Sequence, residues 1–175
     1  IVMVTGTKKL KIMLRRTIIL FLFSLIYESC NNNSIFEEYT SVGNAWDIDS
    51  PVTYNFSIED TITPYNLFIK LRTDNNYEFS NLFLDTSLIC PSNKILKDTL
   101  EYQMAMPDGS MLGSGNMSIK EHKLWFKGHN GVFKFPEKGH YKLVINQQMR
   151  VLGSNEGLKF LRGIMDVGFS IENSF

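Results

Sequence analysis

Cys30 is the residue of this chain whose neighbours define a reaction. It follows Arg15-Arg16, an apolar run from Ile18 to Tyr27 broken only by Ser24, and the small residue Ser29. Two cations, a short apolar stretch and a small residue at the cut are the layout of a secretory signal peptide. The run is about half of the ~20 residues that a helix needs to cross a ~30 Å hydrocarbon core, so it makes a poor permanent span. A cysteine directly after such a cut is the acceptor to which a diacylglycerol is attached before the new N-terminus is acylated. Several acyl chains hold a soluble domain on a bilayer where a single chain does not. Tyr27 and Glu28 depart from the small or aliphatic residues usual just before a lipidated cysteine. An ordinary cleaved signal and an uncleaved apolar anchor therefore stay open beside acylation. Met3 and Met13 are both candidate starts; a start at Met13 gives the neater signal and places residues 1–12 upstream of it.

The remaining reactive side chains do not assemble into a familiar constellation. Ser110 lies in Gly109-Ser110-Met111-Leu112-Gly113, misplaced for a nucleophile elbow and without the strand–turn–helix context. His122, His129 and His140 are seven and eleven residues apart among lysines, unlike the close spacing of zinc ligands, and read as solvated turn residues. Asp47-Ile48-Asp49 and Asp74-Asn75-Asn76 lack the ligand count and closing glutamate of a calcium loop. Cys90, between Leu88-Ile89 and Pro91, reads as a small buried hydrophobe at a strand end. These patterns predict neither a catalytic site nor a metal or cofactor site. Phe68 and Trp125 stand out differently. Both fall on the otherwise polar face of their strands, and an exposed aromatic pair there would mark a docking patch.

The elements that must carry these residues are strands. Apolar residues take every second place in Val52–Glu59, Tyr65–Arg72, Leu82–Ile89, Lys97–Met106 and His140–Met149, the period of a half-buried strand. Lys123–Lys127, Val132–Phe135 and Asp166–Glu172 read as further short strands. Ile35–Tyr39 fits either one helical turn or an edge strand, and Glu156–Leu161 holds at best a short helix. Pro107-Asp108-Gly109 and Pro136-Glu137-Lys138-Gly139 are turns, with proline setting φ and glycine accepting a positive φ. About eight strands with turn signals between them predict an all-β, antiparallel β-sandwich, Ig-like or jelly-roll. Gly139-His140-Tyr141 has the form of a tyrosine corner, whose phenol bonds back to an upstream loop.

Charge narrows the partners. Of 18 basic and 18 acidic residues, five basic ones (Lys8, Lys9, Lys11, Arg15, Arg16) and one acid (Glu28) lie in residues 1–29, so the remainder carries a net charge of −4. A mildly acidic domain lacks the clustered basic face that nucleic acid requires, and it leaves membrane attachment to the lipid. The expected organisation is a signal peptide at 1–29, a lipidated N-terminus and polar tether at 30–34 around Asn31-Asn32-Asn33, and a β-sandwich at 35–175.

The chain also resembles a known family. Phe36-Glu37-Glu38-Tyr39, Pro64-Tyr65-Asn66-Leu67-Phe68-Ile69, Phe79-Ser80-Asn81-Leu82-Phe83-Leu84 and Lys97-Asp98-Thr99-Leu100-Glu101-Tyr102 carry the likeness. It continues through Lys123-Leu124-Trp125-Phe126, Gln148-Met149-Arg150 and Gly163-Ile164-Met165-Asp166-Val167-Gly168-Phe169. These blocks, in this order, are similar to the gliding-motility lipoprotein family GldH of Bacteroidetes-type bacteria. The resemblance implies an outer-membrane lipoprotein, on the periplasmic or the surface face. It also implies a non-enzymatic role in gliding motility beside companion lipoproteins and the type IX secretion apparatus. It carries no catalytic, cofactor or metal residues, and only the lipid attachment point transfers, onto Cys30. The alternative is a β-sandwich lipoprotein that binds a glycan or another ligand.

Overall fold

The computed structural model of the chain describes residues 34–129, 132–151, 153 and 156–174, with Arg16 alone upstream of them. The apolar run and Cys30 lie outside the described residues. Among the described residues eleven strands follow in order: β1 Ser34–Ser41, β2 Ala45–Asp47, β3 Val52–Ile58, β4 Tyr65–Asp74, β5 Asn81–Ile89 and β6 Ile95–Gln103 come first. Then come β7 Ser114–Gly115, β8 Ile119–Lys127, β9 Gly139–Gln147, β10 Phe160–Arg162 and β11 Ile164–Asn173. The alternation read in the sequence is what buries them. In β3, Val52, Tyr54, Phe56 and Ile58 point inward while the residues between them reach the surface.

Eight of these strands are seven to ten residues long. Among the eight, the first pairs with the last, the second with the seventh, the third with the sixth and the fourth with the fifth, all antiparallel. The result is a sheet ordered β1-β11-β4-β8, extended by β7, and a second ordered β3-β9-β5-β6. That is the strand order of a jelly roll, which decides between the two sandwich topologies that the sequence allowed. The small pair β2–β10 lies apart from both sheets, with Trp46 opposite Leu161 in register and both side chains buried.

Both inner faces supply the core. Tyr54, Leu67, Ile69, Leu84, Leu143, Ile145, Val167, Phe169 and Ile171 are fully buried. Phe135 sits among aromatic rings, its centroid 5.8 Å from Phe56, 5.4 Å from Tyr65, 5.1 Å from Phe133 and 5.0 Å from Tyr141. The tyrosine corner is formed: the Tyr141 phenol donates to the Glu137 carbonyl at 2.7 Å and accepts from the Glu137 N–H at 3.1 Å. That closes the 128–138 connection onto the start of β9.

Three local expectations need correction, and one open choice is settled. Val132–Phe135 is not a strand; Phe133 makes an isolated bridge to Tyr65, and Phe135 turns into the core instead of laddering. The short helix sought at 156–161 gives way to β10, because the edge of β2 offers Ala45–Asp47 as a partner. The 3-residue β10 then reverses at Gly163 (φ 81°), where any Cβ would lie 2.1 Å from the Tyr77 nitrogen, so only glycine fits. Strand β6 stops at Gln103: the Met104 N–H still bonds the Ser80 carbonyl at 2.7 Å, but the Ala105 N–H turns onto that same carbonyl at 3.2 Å, which ends the pairing. Ile35–Tyr39, which fitted helix or strand, belongs to β1 at the edge of the five-stranded sheet.

Candidate functional site

Phe68 and Trp125 stand opposite each other on β4 and β8, beside a register shift between Leu67 and Phe68. Their ring centroids are 4.4 Å apart. The pair is not two exposed rings, as the sequence pattern had it. Phe68 is 5% exposed and Trp125 37%. Trp125 leans over Phe68 from the neighbouring strand, and the Lys123 ammonium covers the phenylalanine ring 4.2 Å from its centroid. Glu172 holds that ammonium at 2.7 Å. His129 packs beside the indole with centroids 5.0 Å apart. What reaches solvent is thus an indole–imidazole platform backed by a buried phenylalanine. The Tyr102 phenol donates to the Trp125 carbonyl at 2.7 Å, pinning β6 against β8, and Lys127 reaches Asp98 at 2.9 Å on the same side.

The rest of that outer face satisfies itself. Lys70 pairs with Glu37 at 2.7 Å, and Arg72 with Glu121 at 2.8 Å and Asp166 at 3.6 Å. The Arg72 guanidinium also lies 4.6 Å over the Tyr39 ring, which in turn covers Gly168. Exposed pairs of this kind contribute little stability, ~0–1 kcal/mol each, but they leave few free charges around the platform. Ser170 lies cross-strand from Phe68 and is fully buried, its hydroxyl without a partner among the described residues.

A groove of about 890 Å³ opens where β5 begins and the chain leaves β9, lined by Phe79, Asn81, Phe83, Asp85, Arg150 and Val151 among others. Asp85 accepts from Thr99 at 2.7 Å there. No motif in the sequence marks this groove. Its signal was the outward Phe83 on an otherwise polar face, hidden because Phe79 and Val151 lie outside regular strands.

The other reactive groups are structural. His122 is buried in β8, not solvated in a turn, because the strand extends four residues further toward the N-terminus than the sequence pattern placed it. Its Nε2 lies 3.1 Å from the Thr73 hydroxyl, and burial, with Lys120 nearby, lowers its pKa. His140 contacts the Ser57 hydroxyl at 2.7 Å, and His129 belongs to the platform. Cys90 is buried; that burial raises its pKa, Glu137 adds to the effect and Lys94 opposes it. Lys159 bridges Asp47, at 2.9 Å, and Asp49, so these carboxylates are engaged with a side-chain cation. Among the described residues no three His, Cys, Asp or Glu side chains gather as metal ligands.

These features define an antiparallel jelly-roll domain with an aromatic surface platform and an open groove. The chain belongs to the GldH lipoprotein family, whose model matches residues 34–171. It is 47% identical over 154 residues to the gliding motility lipoprotein GldH of Flavobacterium johnsoniae, covering 88% of this chain and 94% of that protein. It is 42% identical over 159 residues to a gliding motility lipoprotein GldH homolog of Christiangramia forsetii, covering 90% and 96%. Among solved structures it is similar to dimeric latent PorU from Porphyromonas gingivalis, with a TM-score of 0.36, 9% identity, and coverage of 79% of this chain and 13% of that one. That likeness is too slight to carry a fold or a function across.

Proposed function

We propose that the protein is a lipoprotein anchored through acylated Cys30, serving without catalysis as an assembly or stabilising component of the gliding-motility and type IX secretion machinery. The observation that carries this reading is 47% identity, across 88% of the chain, to a gliding motility lipoprotein. On it, residues 1–29 are the removed signal, Cys30 carries the acyl chains, and the domain from β1 onward stands at the outer membrane. The Trp125 platform, with Phe68 beneath it, is the contact face for neighbouring lipoproteins or secretion components. An aromatic group that is rigid because it is packed from below loses little freedom on docking, which favours it as an anchor. Tethering raises the effective concentration of such faces, so weak contacts suffice.

The test is deletion of the gene in a gliding species, complemented with wild-type, Cys30→Ser or Trp125→Ala protein. Loss of spreading or of type IX cargo export, restored by wild type alone, supports the reading; unaltered motility and secretion on deletion refute it. The groove at Phe79 and Phe83 favours a second reading, capture of a glycan or similar ligand, because apolar rings there stand beside Asn81, Asp85 and Arg150. Robust binding of the full-length Cys30→Ser protein to a glycan array would favour it.

A further inference from the structure

Four residue steps separate Cys30 from Ser34, the first residue of β1. At ~3.5 Å per residue, that stretch spans at most ~14 Å even when fully extended. Ser34 pairs with Glu172, which pairs in turn with Asn66, so the chain enters the sandwich at the end where β4 starts and β11 stops. Three connections gather at this end: 59–64 between β3 and β4, 90–94 between β5 and β6, and 128–138 between β8 and β9. Hydrogen bonds tie them together. The Tyr65 N–H donates to the Phe133 carbonyl at 2.9 Å, the Ser174 N–H to the Pro64 carbonyl at 3.0 Å, and the Ser92 N–H to the Glu137 carboxylate at 2.9 Å.

The tips of this end are apolar where solvent-facing loops are ordinarily polar. Ile62 is 78% exposed and Val132 70%, and Ile35, at the start of β1 and so at this same end, is exposed too. Asp60 holds the Ile62 tip outward by accepting from the Ile62 N–H at 2.7 Å and the Thr63 N–H at 3.2 Å. The three connections carry Lys94, Lys134 and Lys138 together with Glu59, Asp60 and Glu137. That set has both signs in equal number. It matches the phosphate–ammonium layer of zwitterionic headgroups and would gain nothing from a strongly anionic surface.

We propose that this end of the jelly roll rests on the lipid surface, with Ile62 and Val132 as its contact tips. The proposal rests on acylation of Cys30, which supplies the attachment; the loop tips add orientation. A short tether keeps these weak contacts at high local concentration. Strands of nine or ten residues at ~3.3 Å per residue then stand the opposite end ~30 Å away, with Met117 and the groove at Phe79 turned from the bilayer.

The test is full-length lipidated protein, in a Cys90→Ala background, in phosphatidylethanolamine–phosphatidylcholine vesicles that hold a lipid-borne nitroxide. A fluorophore is placed in turn at Ile62→Cys, Val132→Cys and Met117→Cys. The proposal expects several-fold stronger quenching at 62 and 132 than at 117, little changed by salt. Equal quenching at the three sites, or the strongest at 117, in a chain retained on the vesicles overturns this proposal alone. Release of the unlabelled wild-type chain by alkaline carbonate would overturn the anchoring and this orientation together.

Discussion

The phenol of Tyr54, on β3, donates to the backbone carbonyl of Val167, on β11, at 2.6 Å, a polar stitch between the two sheets through a core made mostly of rings and aliphatic chains. Both residues are fully buried. Tyr54→Phe keeps the ring among Phe169 and its neighbours and removes only the hydroxyl. The expected loss is ~1 kcal/mol, the net worth of one neutral hydrogen bond. Urea denaturation measures it, with the slope unchanged because the fold and its buried surface are kept.

Alkaline pH reads the same group. Burial pushes the Tyr54 phenol up to about 12 from its ordinary 10, and burial also raises Tyr77 and Tyr102. The unfolded chain ionises these phenols first and so holds fewer protons than the native state once pH passes 10. Their contribution is whole below pH 10 and is lost as pH climbs through the raised native values. Urea midpoints should therefore hold below pH 10 and fall steeply toward pH 12. Tyr54→Phe should soften that fall; a midpoint independent of pH across the window would refute the burial argument.

The long strands were legible because their burial really is periodic: Val52, Tyr54, Phe56 and Ile58 could be placed inward by alternation alone. The pairing of β1 with β11 was not legible. It joins residues more than 100 positions apart, and no local pattern specifies which edges meet. Tyr141 was readable as a corner because its geometry is confined to a few neighbouring residues. Phe68 was half readable. Its place on the outward face followed from period two, but its burial depends on Trp125 and Lys123 arriving from another strand. Glu156–Leu161 misled because a 3-residue strand has too little pattern to tell from a helical turn.

Covering Phe68 leaves the neighbouring Ser170 hydroxyl buried and unpartnered among the described residues. Such a group bears a desolvation cost without a compensating bond. Ser170→Ala removes the hydroxyl and little volume, so stability should be unchanged or rise by up to ~1 kcal/mol. A thermal melt settles the direction; a clear loss would mean that the hydroxyl is satisfied.

Trp125→Ala uncovers Phe68 and forfeits an aromatic pair worth ~0.5–1.5 kcal/mol beyond its buried area. The sandwich should still fold, since Trp125 lies on the outer face and the core beneath is intact. Photo-cross-linking from a residue beside the platform, in native membranes, should lose its specific partner band in this variant. A partner band of undiminished strength would move the contact face elsewhere on the domain.

Everything proposed for the domain's placement depends on one chemical step, acylation of the Cys30 thiol. Intact-peptide mass spectrometry of the protein from its own membranes reads that step. The expected N-terminal peptide begins at Cys30 and carries a diacylglycerol with a further acyl chain. An N-terminus free of fatty chains, or one that still extends back through Arg16, would overturn it.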